Sequence, residues 1–166
     1  MRNRVFGLGF GGNTPDTPCC FRTVASCLRN ASGMTKVRFS SVYLTPPWGD
    51  VAGGEFMNFV AVGEWSGSDH GLQELCREIE TLCGAPVNKL GDARSIDADI
   101  LFIEGGSGGP ELVLPHPRMH LRRFVLVPLG EVFDGPVPGF ALTAGELLAQ
   151  TPDESHITLC EGFSFD

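Results

Sequence analysis

Apolar and polar positions alternate along Lys36 to Leu44, "KVRFSSVYL", with Val37, Phe39, Ser41 and Tyr43 on one side and Arg38, Ser40, Val42 and Leu44 on the other. A period of two predicts a β-strand over 36–44. "RVFGLGF" (4–10) and "FMNFVAVGEW" (56–65) read as further strands, the latter rich in the aromatic and β-branched residues that suit a sheet. Between them the period changes. Cys20, Val24, Cys27, Leu28 and Ala31 recur at helical spacing after the turn "GGNTPDTP", predicting a helix over about 18–31. Leu72, Leu75, Cys76, Ile79 and Cys83 do the same inside "SGSDHGLQELCREIETLCG", a capped helix ending at Gly84. A strand follows in "ARSIDADILF" (93–102), then a glycine-rich turn, a short strand "LVLP", a helix over about 120–133 and a last short helix in "TAGELLAQ". The order β-α-β-β-α-β predicts an α+β fold of the ferredoxin-like kind, an antiparallel sheet with helices on one face and short C-terminal additions. Residues 1–166 are expected to form one domain.

Composition adds limits rather than elements. With 42% hydrophobic and 19% charged residues the chain falls in the globular range, and no apolar run approaches the length of a membrane span. Glycines break the opening "MRNRVFGLGFGGN", which reads as a strand and not a signal peptide, so a cytoplasmic monomer without a membrane partner is expected. A net charge of −8 argues against nucleic acid, whose phosphates need a basic face. Of six cysteines, Cys20, Cys27, Cys76 and Cys83 lie on the apolar stripes and read as small hydrophobes; Cys19 and Cys160 carry no strong reading. His70 and His156 read as surface residues.

Three polar clusters carry candidate chemistry. Asp97 and Asp99 lie two apart on a strand, so both carboxylates face the same way just before the apolar Ile100, Leu101 and Phe102. Such a pair is either a solvated strand edge or a Mg²⁺ site, because Mg²⁺ binds through one or two carboxylates together with phosphate oxygens. Arg94 stands where it could reach a phosphate. The second cluster, "LPHPRMHLRRF", packs His116, Arg118, His120, Arg122 and Arg123 into one stretch. Alone it reads as a wet basic face; beside a metal it reads as a phosphate clamp. The third joins the stiff "TPPWG" to Phe56 and Asn58, an aromatic ring and an amide on one strand face, which suits a flat heterocycle.

Jointly, "SSVYLTPPWG", "FMNFVAV", "EIE", "ARSIDADILF", "LVLPHPRM" and "RRFVLVPL" resemble, in order, the 6-hydroxymethyl-7,8-dihydropterin pyrophosphokinases of folate biosynthesis. The resemblance implies transfer of the β,γ-pyrophosphoryl group of ATP to the pterin hydroxyl with release of AMP. It implies two Mg²⁺ ions held by Asp97 and Asp99, with Arg94 beside them in catalysis. It places Glu80, Lys89, Arg94, Ile100, His116 and Arg122 on ATP, and Gly11, Thr45, Pro47, Trp48, Phe56, Asn58 and Phe124 on the pterin, with Phe56 and Phe124 sandwiching the ring. Three departures stand out. Gly12 replaces a serine in the family's G-S-N, the loop "APVNKLGDA" offers Lys89 as its only cation where well-known members carry arginines and a tryptophan, and Glu111-Leu112-Val113 stands where they place a basic residue and a threonine. The expectation is a competent but weaker or slower enzyme. The alternatives are a protein that binds a pterin-like ligand without efficient transfer, one that acts on another acceptor, or a regulatory module for a different small ligand.

Overall fold

The computed structural model describes residues 2–46, 54–84 and 95–166. Pro47, Trp48, Lys89 and Arg94 lie outside the described residues.

One antiparallel sheet organises the chain. β1 (Arg4–Gly12) runs between β4 (Phe56–Trp65) and the edge strand β5 (Asp97–Ile103), with Gly11 opposite both Asn58 and Asp97. On the far side of β4, two short strands share one track: β2 (Met34–Phe39) pairs with its Ala61–Trp65 half and β3 (Tyr43–Thr45) with its Phe56–Asn58 half. β6 (Thr158–Leu159) adds to β3, so the path reads β5-β1-β4-β3-β6 with β2 also against β4.

The single strand expected over 36–44 is therefore two. The break has a local cause. Ser40 is buried, its N–H donates to Val60 O at 2.9 Å, and its hydroxyl accepts from Val60 N–H at 2.9 Å while donating to Ser41 O. A side chain thus takes over a ladder position, and the backbone kinks through 40–42.

Helices α1 (Thr17–Asn30) and α2 (Asp69–Leu82) cover one sheet face, where Phe6, Leu8 and Phe10 of β1 meet Phe21, Val24 and Leu28 of α1 and Leu72, Cys76 and Ile79 of α2. Ser68 caps α2 by accepting from Gly71 N–H at 3.0 Å, and Gly84 ends it at φ +69°, a conformation that suits glycine. The expectation that helices occupy one face is corrected by the other. Val60, Val62, Leu101 and Phe102 pack there against Val125, Leu126 and Leu129 of α3 (Arg123–Val132) and Leu147 of α4 (Ala144–Gln150). Burial on both faces is why β4 reads as the unbroken apolar run Phe59 to Val62.

"LVLP" forms no strand; Leu112 makes only an isolated bridge with Gly109. The helix expected from about 120 starts at Arg123, after a 3₁₀ turn over Met119–Leu121. All six cysteines are free. Among the described residues no helix is long and apolar enough to cross a membrane.

Candidate active site

Directly opposed residues in a sheet share a face, which fixes where the two aspartates look. Asp99 lies opposite Gly9 and Gly9 opposite Val60, a member of the core under α3, so Asp97 and Asp99 sit on the α3 face near one end of the sheet. The next row runs Tyr43, Asn58, Gly11, Asp97. Glycine in the middle of that row leaves bare backbone between an amide and a carboxylate. A Cβ on Gly11 would lie 2.9 Å from Asn58 Oδ1, so the platform is closed to any side chain.

Asn58 and Thr45 are both buried, and Asn58 Nδ2 donates to Thr45 Oγ1 at 2.9 Å and to Phe56 O at 3.4 Å. Those bonds use the amide nitrogen and turn the carbonyl oxygen toward Gly11. The amide is thereby set to accept from the edge of a ligand lying on the glycine floor.

Two residues of the basic stretch 114–124 stand beside the aspartates. His116 Nε2 lies 3.9 Å and Arg122 Nη1 4.0 Å from Asp99 Oδ2. His116 is held from two sides: its N–H donates to Leu101 O at 2.7 Å, and its Nδ1 accepts from Arg118 N–H at 3.1 Å. Burial, then Arg122 and Arg118, push its pKa down to about 4 against the pull of Asp97. Near neutral pH the ring is therefore uncharged, with Nδ1 accepting and the proton on Nε2 facing Asp99. Arg122, also half-buried, stays charged despite a pKa lowered by burial, and its guanidinium lies 5.4 Å from the centroid of the Phe124 ring.

Since β5 is an edge strand, Asp99 also borders a cleft of about 350 Å³ between α2 and the 111–117 segment. Its floor is Ala98 and Ile100, its walls Gln73, Cys76, Arg77 and Glu80 on one side and Leu112, Val113 and His116 on the other. Glu80 accepts the free edge N–H of Ala98 at 2.9 Å, and burial, with Asp97 and Asp99 adding, raises its pKa. At the mouth Arg77 bridges Glu111 at 2.6 Å and Glu74 at 2.8 Å, while Gln73 Nε2 donates to Glu111 O at 3.2 Å.

The structure thus brings together Asp97, Asp99, His116, Arg122, Phe124, Glu80 and Ile100 around one end of β5, with Gly11, Asn58, Thr45 and Phe56 across the glycine floor. Sequence reasoning passed over Gln73 and Arg77. Their spacing with Cys76 and Glu80 marks one helix face and was available as a signal. Among the described residues no group of three or more acids, histidines and cysteines could hold a metal by itself. Two neighbouring hard carboxylates beside a cleft fit a Mg²⁺ ion that takes its other ligands from phosphate and water.

Comparison with known proteins gives the following. The family model of 7,8-dihydro-6-hydroxymethylpterin-pyrophosphokinase matches residues 7–134. The 2-amino-4-hydroxy-6-hydroxymethyldihydropteridine pyrophosphokinase of Methylorubrum extorquens is 37% identical over 126 residues, covering 75% of this chain and 80% of that one. Its Bacillus subtilis counterpart is 31% identical over 131 residues, covering 78% of each chain. Among solved structures, an HPPK-DHPS in complex with substrates superposes over 90% of this chain with a TM-score of 0.67 at 11% identity, and the Plasmodium falciparum HPPK-DHPS over 90% with a TM-score of 0.65 at 13% identity. This chain spans 43% and 45% of those two chains, and the likeness is one of fold.

Proposed function

The chain belongs to the 7,8-dihydro-6-hydroxymethylpterin-pyrophosphokinase family, and from that premise we propose that it transfers pyrophosphate from ATP to 6-hydroxymethyl-7,8-dihydropterin in folate biosynthesis, giving the pterin diphosphate and AMP. One observation carries the reading. Asp97 and Asp99 stand between a cleft on the α2 side and a glycine floor that ends in the fixed amide of Asn58, with His116 and Arg122 converging on Asp99.

In this reading the pterin lies on the floor, its edge read by Asn58 and Thr45 and its faces covered by Phe56 and Phe124, with Gly11 giving clearance and Pro47 and Trp48 completing the pocket. ATP enters the cleft over Ile100, near Glu80, with Lys89, Arg94, His116 and Arg122 on its phosphates. The pterin hydroxyl oxygen attacks the β-phosphorus and gives its proton up to water; the bond from that phosphorus to the α,β-bridging oxygen breaks, and AMP departs with that electron pair. Two Mg²⁺ ions held by Asp97 and Asp99 would neutralise the phosphate charge and favour the deprotonated hydroxyl. The side chains position and compensate charge. Neutral His116 donates from Nε2 without adding charge, and Arg122 supplies the positive charge that a loose phosphoryl transition state needs. No side-chain nucleophile is required.

The same proposal takes β5-β1-β4 with the β2/β3 track as a ferredoxin-like order, and the chain as one domain, supported by a single sheet joining β1 to β6; it takes that domain to act as a monomer. Glu111 is an acid and brings no positive charge to a phosphate; it instead draws on Arg77, with which it pairs at 2.6 Å. Each missing charge-assisted contact is worth about 1.5–3 kcal/mol, so a high KM for ATP is expected.

The test is AMP release from ATP and Mg²⁺ with and without the pterin. Pterin-dependent AMP, lost in Asp97→Asn with the circular dichroism spectrum unchanged, is expected. Calorimetric pterin binding with no AMP at any ATP concentration would instead establish a binding protein, and full activity in Asp97→Asn would remove the metal role.

A further inference from the structure

The family match ends at residue 134, yet a side chain beyond it reaches into the start of α3. Arg122, the residue before the helix, has an extended backbone (φ −128°, ψ 109°) and contributes no side-chain cap. Its carbonyl accepts from Val125 and Leu126 N–H, which leaves the first helical N–H, that of Arg123, to find a partner elsewhere. Asp153 supplies it. Its Oδ2 accepts from Arg123 N–H at 2.9 Å across thirty residues of chain.

Asp153 is 8% exposed, and its other oxygen accepts from both the N–H (2.8 Å) and the hydroxyl of Ser155. Ser155 belongs to the same loop, so these two bonds fix the carboxylate's orientation on that loop and leave Oδ2 for the Arg123 N–H. Burial would raise its pKa, but the Ser155 and Arg123 donors and the Arg123 charge hold it below the ordinary value, so it is ionised at the positive end of the helix. Arg123 is flanked by Arg122, which faces Asp99, and by Phe124, over whose ring the Arg122 guanidinium lies. Pinning the Arg123 peptide sets the backbone from which both neighbours depart.

We propose that Asp153 is a positioning residue that caps α3 and thereby fixes Arg122 and Phe124 against the substrate site. The role rests on the pyrophosphokinase reading for its kinetic consequence, but not for its structural one. A misplacement of about 1 Å in such a group can cost about a hundredfold in rate, whereas a remote surface acid would cost nothing.

The experiment compares Asp153→Ala and Asp153→Asn with the unmodified protein, alone and combined with Arg122→Ala, by steady-state AMP release and by amide hydrogen exchange. Asp153→Ala is expected to lower kcat/KM by about tenfold, to lose that effect largely when Arg122 is already alanine, and to be rescued in part by Asp153→Asn, which keeps one acceptor oxygen. Exchange should quicken at residues 123–125 and not at the far end of α3. An equal loss with and without Arg122, or unchanged exchange at 123–125, overturns the proposal. If the unmodified protein releases no AMP, the pyrophosphokinase reading fails and the exchange data still decide whether Asp153 is the cap. If Asp153→Ala does not fold, the Asn variant decides both.

Discussion

Gly11 shows how much one absent side chain carries. Its Cβ position falls 2.9 Å from Asn58 Oδ1, and that amide is tied to Thr45 by a buried hydrogen bond. Gly11→Ala must therefore push the amide aside or fill the floor. We expect the KM for pterin to rise about tenfold or more and the melting temperature to fall by about 2–12 °C, since a misplaced buried hydrogen bond costs about 1–3 kcal/mol and each kcal/mol moves the transition by about 2–4 °C; unaltered pterin kinetics would remove Gly11 and Asn58 from the pocket. A second residue test concerns stability. Asp69 is largely buried; burial raises its pKa, but Arg4 at 2.8 Å and the N–H groups of Gly108 and Ser107 outweigh it and hold the value below 3.8. With the folded pKa below the unfolded one, the unfolded chain binds more protons as pH falls, so this stabilisation is present above pH 3.8 and is lost as pH drops through the folded value. The melting temperature of the unmodified protein should fall more steeply below about pH 4 than that of Asp69→Asn, in scans by differential calorimetry. These residues were not equally legible in the sequence. Asp97, Asp99, His116 and Arg122 announce themselves by type and spacing within short stretches. Asp153 does not, because nothing in "TPDES" points to Arg123 thirty residues earlier; its partner is created only when α4 folds back on α3.

Elements are tied to one another by a different acid. Glu131, near the C-terminus of α3, accepts from Ser41 N–H at 2.9 Å, Ser41 Oγ at 2.8 Å and Tyr43 OH at 2.7 Å, joining the helix that carries Phe124 to the strand that carries Thr45. Both walls of the proposed pterin pocket thus share one brace. Tyr43 is the only tyrosine in the chain, so the ultraviolet absorbance change on tyrosinate formation reports it alone, the two tryptophans adding a background that does not titrate. Burial, then its bond to Glu131 and the Glu131 charge, push its pKa up to about 12. At pH 11 the phenol should remain mostly protonated in the folded protein, where a free tyrosine would be mostly ionised, and Glu131→Ala should bring the midpoint down toward about 10. A midpoint near 10 in the unmodified protein would mean the brace is not formed. The sign for stability follows: a raised folded pKa favours the native state below pH 10, and that contribution is lost as pH climbs toward 12. Element types read well from periodicity, and the exceptions share a cause. The break at Ser40 and the irregular course of "LVLP" arise where side chains or isolated bridges replace ladder hydrogen bonds. The second helical layer was foreshadowed only by the unbroken apolar run in β4, a pattern equally consistent with a strand buried by another sheet.

Across the whole molecule, the C-terminal residues past the family match close the sheet rather than trail from it. β6 extends the sheet at Tyr43 and Leu44, Cys160 N–H donates to Val42 O at 2.8 Å, and Phe163 and Phe165 then cross the α1 face. There the Phe165 ring lies 5.0 Å from Phe39 and 4.8 Å from Phe59, and Phe163 lies 6.1 Å from Phe21 with Arg22 over its own ring at 5.2 Å. Arg29 pairs with Asp166 at 3.1 Å, but that pair is exposed and worth little beside the rings. The apolar contact sets the energetics. Each half-buried phenylalanine should contribute about 1–2 kcal/mol by the area it covers. For a chain of this length about 2–4 °C accompany each kcal/mol, so Phe163→Ala with Phe165→Ala is expected to lower the melting temperature by roughly 5–15 °C. Because these rings pack on the face away from Asp97 and Asp99, kcat and both KM values at 25 °C should stay within about twofold of the unmodified protein, in contrast to Asp153→Ala, whose effect falls on kcat/KM. Loss of catalysis without loss of thermal stability would place the tail at the site; loss of thermal stability alone is the outcome expected of a strap over the α1 face.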